Sequence, residues 1–177
     1  AGGLLTGYVD LDEMTMGLKP GEMIVMAARP SMGKTSLALN ICENIATAHP
    51  EDADAHPVAV FSLEMSSDQL VRRMLCSHAR IPSQKLAKGY IGEINHSDLA
   101  QAADVLMKAP IYLDDTAGLD ALELRSRARR MHQKHGLGLI VIDYLQMMNY
   151  TQLAREGRQR ETAAISGAMK AMAKELR

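Results

Sequence analysis

The chain has 177 residues, enough for one domain with a sizeable core, and its 47% hydrophobic and 23% charged residues are those of a globular protein. A protein that coats nucleic acid over a whole face is usually strongly basic, and the net charge here is −1, so any nucleic-acid contact is expected to be local; this limits that reading without excluding it. Cys42 and Cys76 form no C-x-x-C pair and read as buried free thiols of a reducing compartment; no apolar run approaches the ~18 residues of a membrane span, and the first residues lack a signal-peptide pattern, so the expectation is a cytoplasmic protein without membrane contact.

In chain order, residues 23–28 (MIVMAA) follow Pro20 and Gly21 and predict a buried strand. Leu37, Ile41 and Ile45 then recur at helical spacing to about residue 48, where His49 before Pro50 ends the helix. Residues 50–57 are an acidic surface loop and 58–63 (VAVFSL) a second strand. Ser66 and Gln69 match a capping box that opens a helix near 68–78. After a mixed helix–loop stretch at 80–97 come a helix over 98–108 and a short strand at 111–113. Asp120 and Glu123 form an acidic variant of the capping box, opening a helix with a stripe at Ala121, Leu124, Ala128 and Met131, stopped by Gly136 and Gly138. Residues 139–143 (LIVID) are apolar at consecutive positions, the pattern of a central strand buried on both faces of a parallel sheet. A polar stretch at 149–161 leads into a helix over 159–176 striped by Ile165, Ala168, Met169, Met172 and Leu176. Strands alternating with helices predict an α/β sheet with crossover helices.

The chemistry is concentrated at Ala28, Arg29, Pro30, Ser31, Met32, Gly33, Lys34, Thr35 and Ser36, placed between a predicted strand and a predicted helix. That is the context of a P-loop, in which backbone N–H groups and a helix N-terminus wrap phosphates. Lys34 would reach the β- and γ-phosphates, Thr35 would place its hydroxyl on Mg²⁺, and Gly33 allows close approach of the backbone. The first glycine of the general motif is replaced by Ala28, so the loop has to enter with ordinary backbone angles.

A second Mg²⁺-linked acid belongs at the end of a hydrophobic strand. Asp143 ends LIVID and Asp114 ends IYLD; the longer apolar run favours Asp143, while Asp114 also reads as a turn residue with an Asx-type hydrogen bond. Glu64 follows VAVFSL directly and would sit on the same sheet edge, as a water-activating carboxylate or as a first-turn acid beside the Ser66 cap. The six histidines show no metal-ligand spacing.

ARPSMGKT (28–35), FSLEM (61–65) and IDYLQ (142–146) together resemble the RecA-like motor domain of DnaB-type replicative helicases, as do residues 6–22 and 125–130. The resemblance covers nearly the whole chain, treated as a single partial domain over 1–177, and Ala28 is the family's own form of the loop. It implies a RecA-like α/β P-loop NTPase with a mostly parallel sheet flanked by helices. It also implies an ATP- and Mg²⁺-dependent hydrolase driving single-stranded DNA translocation and duplex unwinding, assembled as a homo-oligomeric ring hexamer that works with a primase and a helicase loader. Glu64 matches the family's catalytic carboxylate and Asp143 its metal-linked acid. Gln146 is a coupling residue or a packing one; Arg155, Arg158 and Arg160 lie where the family carries a DNA-binding loop, and equally read as a solvated mixed-charge loop. The arginines of 125–130 carry no DNA role. Further family strands, including one between the P-loop strand and the Asp143 strand, and an N-terminal primase-interacting domain are expected outside 1–177, leaving strand edges unpaired here. The rival readings are a recombinase-type ATPase, against which Ala28 and IDYLQ argue; a P-loop kinase, for which no acceptor site is visible; and a chain that only binds nucleotide.

Overall fold

β1 (Val58–Ser62) is the axis of the fold: all five of its residues are buried, and its side chains alternate between two cores. The computed structural model describes residues 2–47, 55–87, 96–151 and 157–177. Val58 and Val60 join Leu39, Ile41, Cys42, Ile45, Leu70 and Met74 on one face of the sheet. Ala59 and Phe61 join Leu119, Leu124, Ala128, Ile165, Met169 and Met172 on the other. This period-two alternation builds three layers, helix–sheet–helix, around one strand.

The elements run α1 (Val9–Thr15), α2 (Lys34–Ala46), β1, α3 (Ser67–His78), α4 (Ser83–Ala87), α5 (His96–Lys108), β2 (Ile111–Asp114), α6 (Ala121–His135), β3 (Leu139–Asp143), a 3₁₀ turn at Leu145–Met147 and α7 (Arg158–Glu175). The described sheet has the order β2-β1-β3 and is wholly parallel, with Ser62 opposite Asp143 and Phe61 opposite Asp114. Helices α2 and α3 cover one face, with α5 on α3; α6 and α7 cover the other. The alternating strand–helix reading and the parallel sheet are therefore what the chain forms.

Two expectations fail, for related reasons. Residues 23–28 form no strand, and Ile24, Val25 and Met26 are exposed at 60%, 66% and 39%. The run has strand-like composition, but a strand also needs a neighbouring edge to pair its backbone, and among the described residues 23–28 meet none. β3 is likewise not central: it borders the described sheet and four of its five residues are only half-buried, so the fully buried strand is β1. Consecutive apolar residues mark a strand with both faces covered, and they do not say whether its two edges are paired.

Local signals fare better. Ser66 caps α3 through a complete box, its hydroxyl accepting from the Gln69 N–H at 3.4 Å while the Gln69 side chain accepts from the Ser66 N–H at 3.2 Å. Asp120 caps α6 by accepting the Leu122 N–H at 2.9 Å, and its second oxygen takes both the N–H and the hydroxyl of Thr151 at 2.8 Å. Glu123 does not complete a box; it pairs with Arg127 instead. Gly136 ends α6 at φ 67°, a left-handed conformation that a side chain disfavours.

Helix α1 carries no predicted counterpart. It is organised by Asp12, which accepts from the N–H and hydroxyl of Thr6 (2.8 and 2.7 Å) and from the Gly7 N–H (3.1 Å). Burial alone pushes the Asp12 carboxyl up, and the bonds from Thr6 and Gly7 hold it below the ordinary carboxylate value. Asn44 of α2 donates to the Thr6 carbonyl at 2.9 Å, docking this N-terminal segment beside the helix that follows residues 28–33.

The arginines of 125–130 are engaged within the chain. Arg125 and Arg129, one turn apart on α6, donate to the two oxygens of Glu175 at 3.0 and 2.7 Å and fasten the end of α7. Arg127 donates to Asp114 at 2.9 Å and to the Thr116 hydroxyl at 2.7 Å. Among the described residues no helix is long and apolar enough to cross a membrane.

Candidate functional site

The segment 28–33 is exposed and turns sharply into α2. Ser31 has φ 64° and Gly33 has φ 87°, so two left-handed residues in a three-residue span reverse the chain. Gly33 adopts this conformation without strain; for Ser31 it costs on the order of 1 kcal/mol. Ala28 is absent from the positive-φ residues, consistent with a loop entered at ordinary backbone angles.

Gly33 is the N-cap of α2, and the first intrahelical bond runs from the Leu37 N–H to the Gly33 carbonyl at 2.9 Å. The amides of Lys34, Thr35 and Ser36 therefore point out of the helix start, where the aligned backbone dipoles favour an anion. This is a cradle of N–H groups with a lysine and a hydroxyl at its base.

Those two side chains converge on one buried carboxylate. The Thr35 hydroxyl donates to Asp143 Oδ2 at 2.6 Å, and Lys34 Nζ lies 3.2 Å from Asp143 Oδ1. Asp143 is 6% exposed and is held in place because its own carbonyl accepts the Leu63 N–H at 2.8 Å, continuing the β1–β3 ladder past Ser62. The Lys34 ammonium also sits 4.2 Å from the centroid of the Tyr144 ring.

Asp114 is placed elsewhere. Its Oδ1 accepts the Thr116 N–H at 3.0 Å, the Asx-type turn, and its Oδ2 accepts from Arg127. Burial pushes its carboxyl up, and the bonds from Arg127 and Thr116 outweigh that and hold it low. Neighbouring Asp115 accepts the first amide of α3, from Ser67, at 2.7 Å. The structure thus brings Asp143, and not Asp114, to the start of α2.

Glu64 lies two residues beyond Ser62, the register partner of Asp143, and is exposed at the carboxyl edge of the sheet. Its position leaves the carboxylate open to solvent on the same edge as Lys34, Thr35 and Asp143. Gln146 is exposed on the 3₁₀ turn.

Arg158 is exposed yet tied to the chain: its guanidinium donates to the Gln146 carbonyl, to the Met148 carbonyl at 3.3 Å and to Glu161 at 2.7 Å. Glu161 is 7% exposed; its other oxygen accepts the Tyr150 N–H at 2.9 Å, and that bond together with Arg158 holds the carboxyl below its ordinary value. Arg160 is exposed on the first turn of α7, and Arg155 lies outside the described residues.

Sequence reasoning missed two residues here. Glu43 is 6% exposed with Oε1 unpartnered, and burial pushes its carboxyl up to about 7. The signal was present: Glu43 stands on the stripe Leu39, Cys42, Glu43, Ala46 that α2 buries. Tyr144, inside IDYLQ, had no assigned role, and its approach to Lys34 is a product of tertiary structure that no spacing shows. Among the described residues no three His, Cys, Asp or Glu side chains gather as a metal set.

Helix-start amides, a lysine, and a hydroxyl bonded to a strand-end carboxylate are the groups that a P-loop presents. Residues 3–177 match the profile of the DnaB-like helicase C terminal domain family. The chain is 45% identical over 174 residues to the replicative DNA helicase DnaB of Geobacillus stearothermophilus and 44% identical over 174 residues to the replicative DNA helicase DnaC of Bacillus subtilis (strain 168). In both cases 98% of this chain is aligned, and it spans 37% of the length of each relative. Among solved structures it resembles a chain described as an ATPase domain, with a TM-score of 0.88 and 30% identity over 98% of this chain and 60% of that one. It also resembles a DnaB-like replicative helicase solved for its interactions with primase, with a TM-score of 0.87 and 30% identity over 98% of this chain and 41% of that one. The chain belongs to the DnaB-like helicase C-terminal domain family and has its RecA-like α/β fold.

Proposed function

We propose that this domain is the ATP-hydrolysing motor of a replicative DNA helicase, converting MgATP turnover into movement along single-stranded DNA. The observation that carries the reading is the convergence of Lys34 and Thr35 on Asp143 at the start of α2. The amides of Lys34, Thr35 and Ser36 and the loop from Ala28 to Gly33 cradle the phosphates, and the Lys34 ammonium neutralises charge on the β- and γ-phosphates. Thr35 and Asp143 offer hard oxygen donors side by side, which suits Mg²⁺. Bound there, Mg²⁺ supplies charge neutralisation to the transferring phosphoryl group.

Glu64 orients the attacking water and accepts its proton as the water oxygen bonds to the γ-phosphorus and the bridging bond to ADP breaks. Glu64→Gln keeps the size of the side chain and removes its basicity. The variant is expected to bind MgATP within about twofold of wild type and to hydrolyse it roughly 10²- to 10⁴-fold more slowly, the range for losing a general base. Unchanged turnover in a phosphate-release assay would remove Glu64 from the mechanism.

Arg160, together with Arg155, is the proposed phosphate contact for DNA, by charge-assisted donation to the backbone. Arg158, the first residue of α7, is the third proposed DNA contact, but its bonds to the carbonyls of Gln146 and Met148 also make it a strut under the turn that carries Gln146. Gln146 is the proposed coupling residue between this loop and the Asp143 strand. The whole protein is read as a cytoplasmic ring hexamer that meets a primase and a loader; the solved relative described with primase supports the first of these partners.

The deciding measurement is phosphate release from MgATP with and without single-stranded DNA, for this chain and for one extended beyond residue 177. DNA-stimulated turnover by the extended chain is the expected result. Silence of both toward ATP and DNA would favour a domain that binds nucleotide without turning it over.

A further inference from the structure

Among the described residues the Lys34 ammonium meets Asp143 Oδ1 at 3.2 Å and the face of the Tyr144 ring, 4.2 Å from its centroid. The second contact is well inside the ~6 Å within which an aromatic face attracts a cation. The ring does not hang on a loose loop. Tyr144 is the N-cap of the 3₁₀ turn Leu145–Met147, closed by the Met147 N–H on the Tyr144 carbonyl and the Met148 N–H on the Leu145 carbonyl, both 3.0 Å. Met148 is fully buried in the core shared by α6 and α7, and Arg158 ties the carbonyls of Gln146 and Met148 to the start of α7. The ring is therefore delivered to Lys34 by a turn fastened at several points.

An ammonium has three donors and one position. A phosphate oxygen competes for that one ammonium: a lysine drawn to hydrogen-bond distance of an anion at the helix-start amides gives up part of its contact with the ring. We infer that Tyr144 is a positioning residue that sets nucleotide affinity: its ring seats the Lys34 ammonium against the β3 end, and a phosphoanion binds by drawing the lysine off that seat. This inference rests on the nucleotide-site reading of residues 28–36. Tyr144 acts through Lys34 and touches no reacting atom. The seat makes binding a competition, so the ring weakens affinity while keeping the lysine ordered beside Asp143.

The test uses two variants of the full chain and two readouts. Tyr144→Phe keeps the aromatic face; Tyr144→Leu removes it and keeps an apolar side chain of useful size. In ¹³C-lysine-labelled protein without nucleotide, the Lys34 ε-methylene resonance is expected to be shifted upfield by the ring in wild type and Tyr144→Phe, and to return to the ordinary lysine position in Tyr144→Leu. With a fluorescent ATP analogue and Mg²⁺, Tyr144→Leu is expected to bind about 2- to 5-fold more tightly than wild type, the range for losing a partly exposed cation–π contact, and Tyr144→Phe to match wild type. Damage to the fold would weaken binding, so tightening is a signature that a merely structural role does not produce.

Equal or weaker binding by Tyr144→Leu, or no ring-induced shift in wild type, overturns the inference. A wild type with the shift but with no affinity for the analogue overturns the nucleotide-site reading and the affinity role with it. A wild type that binds but lacks the shift overturns only the role of Tyr144.

Discussion

Replacing Lys34 by alanine is expected to weaken MgATP binding by at least about 30-fold, on the order of 2 kcal/mol or more, and to abolish turnover. The magnitude follows from what the side chain does at the site. The helix-start amides carry only partial charges, whereas the Lys34 ammonium brings a full positive charge to the start of α2, 3.2 Å from Asp143. Removing it also leaves the Asp143 carboxylate, 6% exposed, with the Thr35 hydroxyl as its remaining side-chain partner in that contact. A buried carboxylate that loses its cation is destabilised, so the variant should melt somewhat lower, yet α2 is held by Leu39, Ile41, Cys42 and Ile45 and remains folded. Equilibrium titration with a fluorescent ATP analogue, alongside circular dichroism to establish folding, checks both statements. A folded Lys34→Ala chain that binds MgATP like wild type would sink the assignment of the site.

The second large effect concerns stability and pH. Glu43 has an ordinary value of 4.5 and is pushed up to about 7 by burial, with Oε1 unpartnered. The folded protein therefore holds a proton that the unfolded chain gives up. Between pH 4.5 and 7 the native state binds more protons, so unfolding free energy falls as pH rises through this window and levels off above it. The cost at pH 8 is on the order of 3 kcal/mol, roughly 6–12 °C in melting temperature for a chain of this size. Glu43→Gln keeps the shape and cannot ionise. The gap between variant and wild-type melting temperatures is expected to be small at pH 5 and to widen in favour of the variant by pH 8. Parallel melting curves across that range would show that Glu43 ionises without penalty. Comparing variant with wild type cancels the titration of other groups common to both.

How much of this could be read before the fold was known depends on the range of the interaction. Signals contained within one turn of chain were legible: the Ser66 box, the Asp120 cap, the Asx turn at Asp114, and Gly136 as a helix stop. The choice of Asp143 over Asp114 rested on the longer apolar run, and the geometry brings Asp143 to Lys34 and Thr35. The supporting idea that its strand is central does not hold for the described sheet. Residues 23–28 mislead for the same reason, since hydrophobic composition describes the faces of a strand while pairing is a property of its edges. Helix α1, held by Asp12 and docked by Asn44, and the anchoring of Arg158 to the turn at Gln146–Met148 depend on contacts beyond one turn of chain. Sequence spacing carries no trace of those. Glu64 was expected at the carboxyl edge of the sheet and is exposed there; Gln146 falls on the 3₁₀ turn, and Arg160 on the first turn of α7.

Cys42 lies on the inner face of α2, fully buried, and burial pushes its thiol up to about 12. An alkylating reagent reacts with thiolate that is accessible to solvent, and in the native fold Cys42 is neither ionised nor accessible. Its rate of modification therefore reports the openings that expose the inner face of α2. Cys76 on α3, also buried, offers a second timer on the neighbouring helix of the same face. The protein thus carries a native pair of chemical clocks, able to show whether a nucleotide quiets one helix or the whole layer.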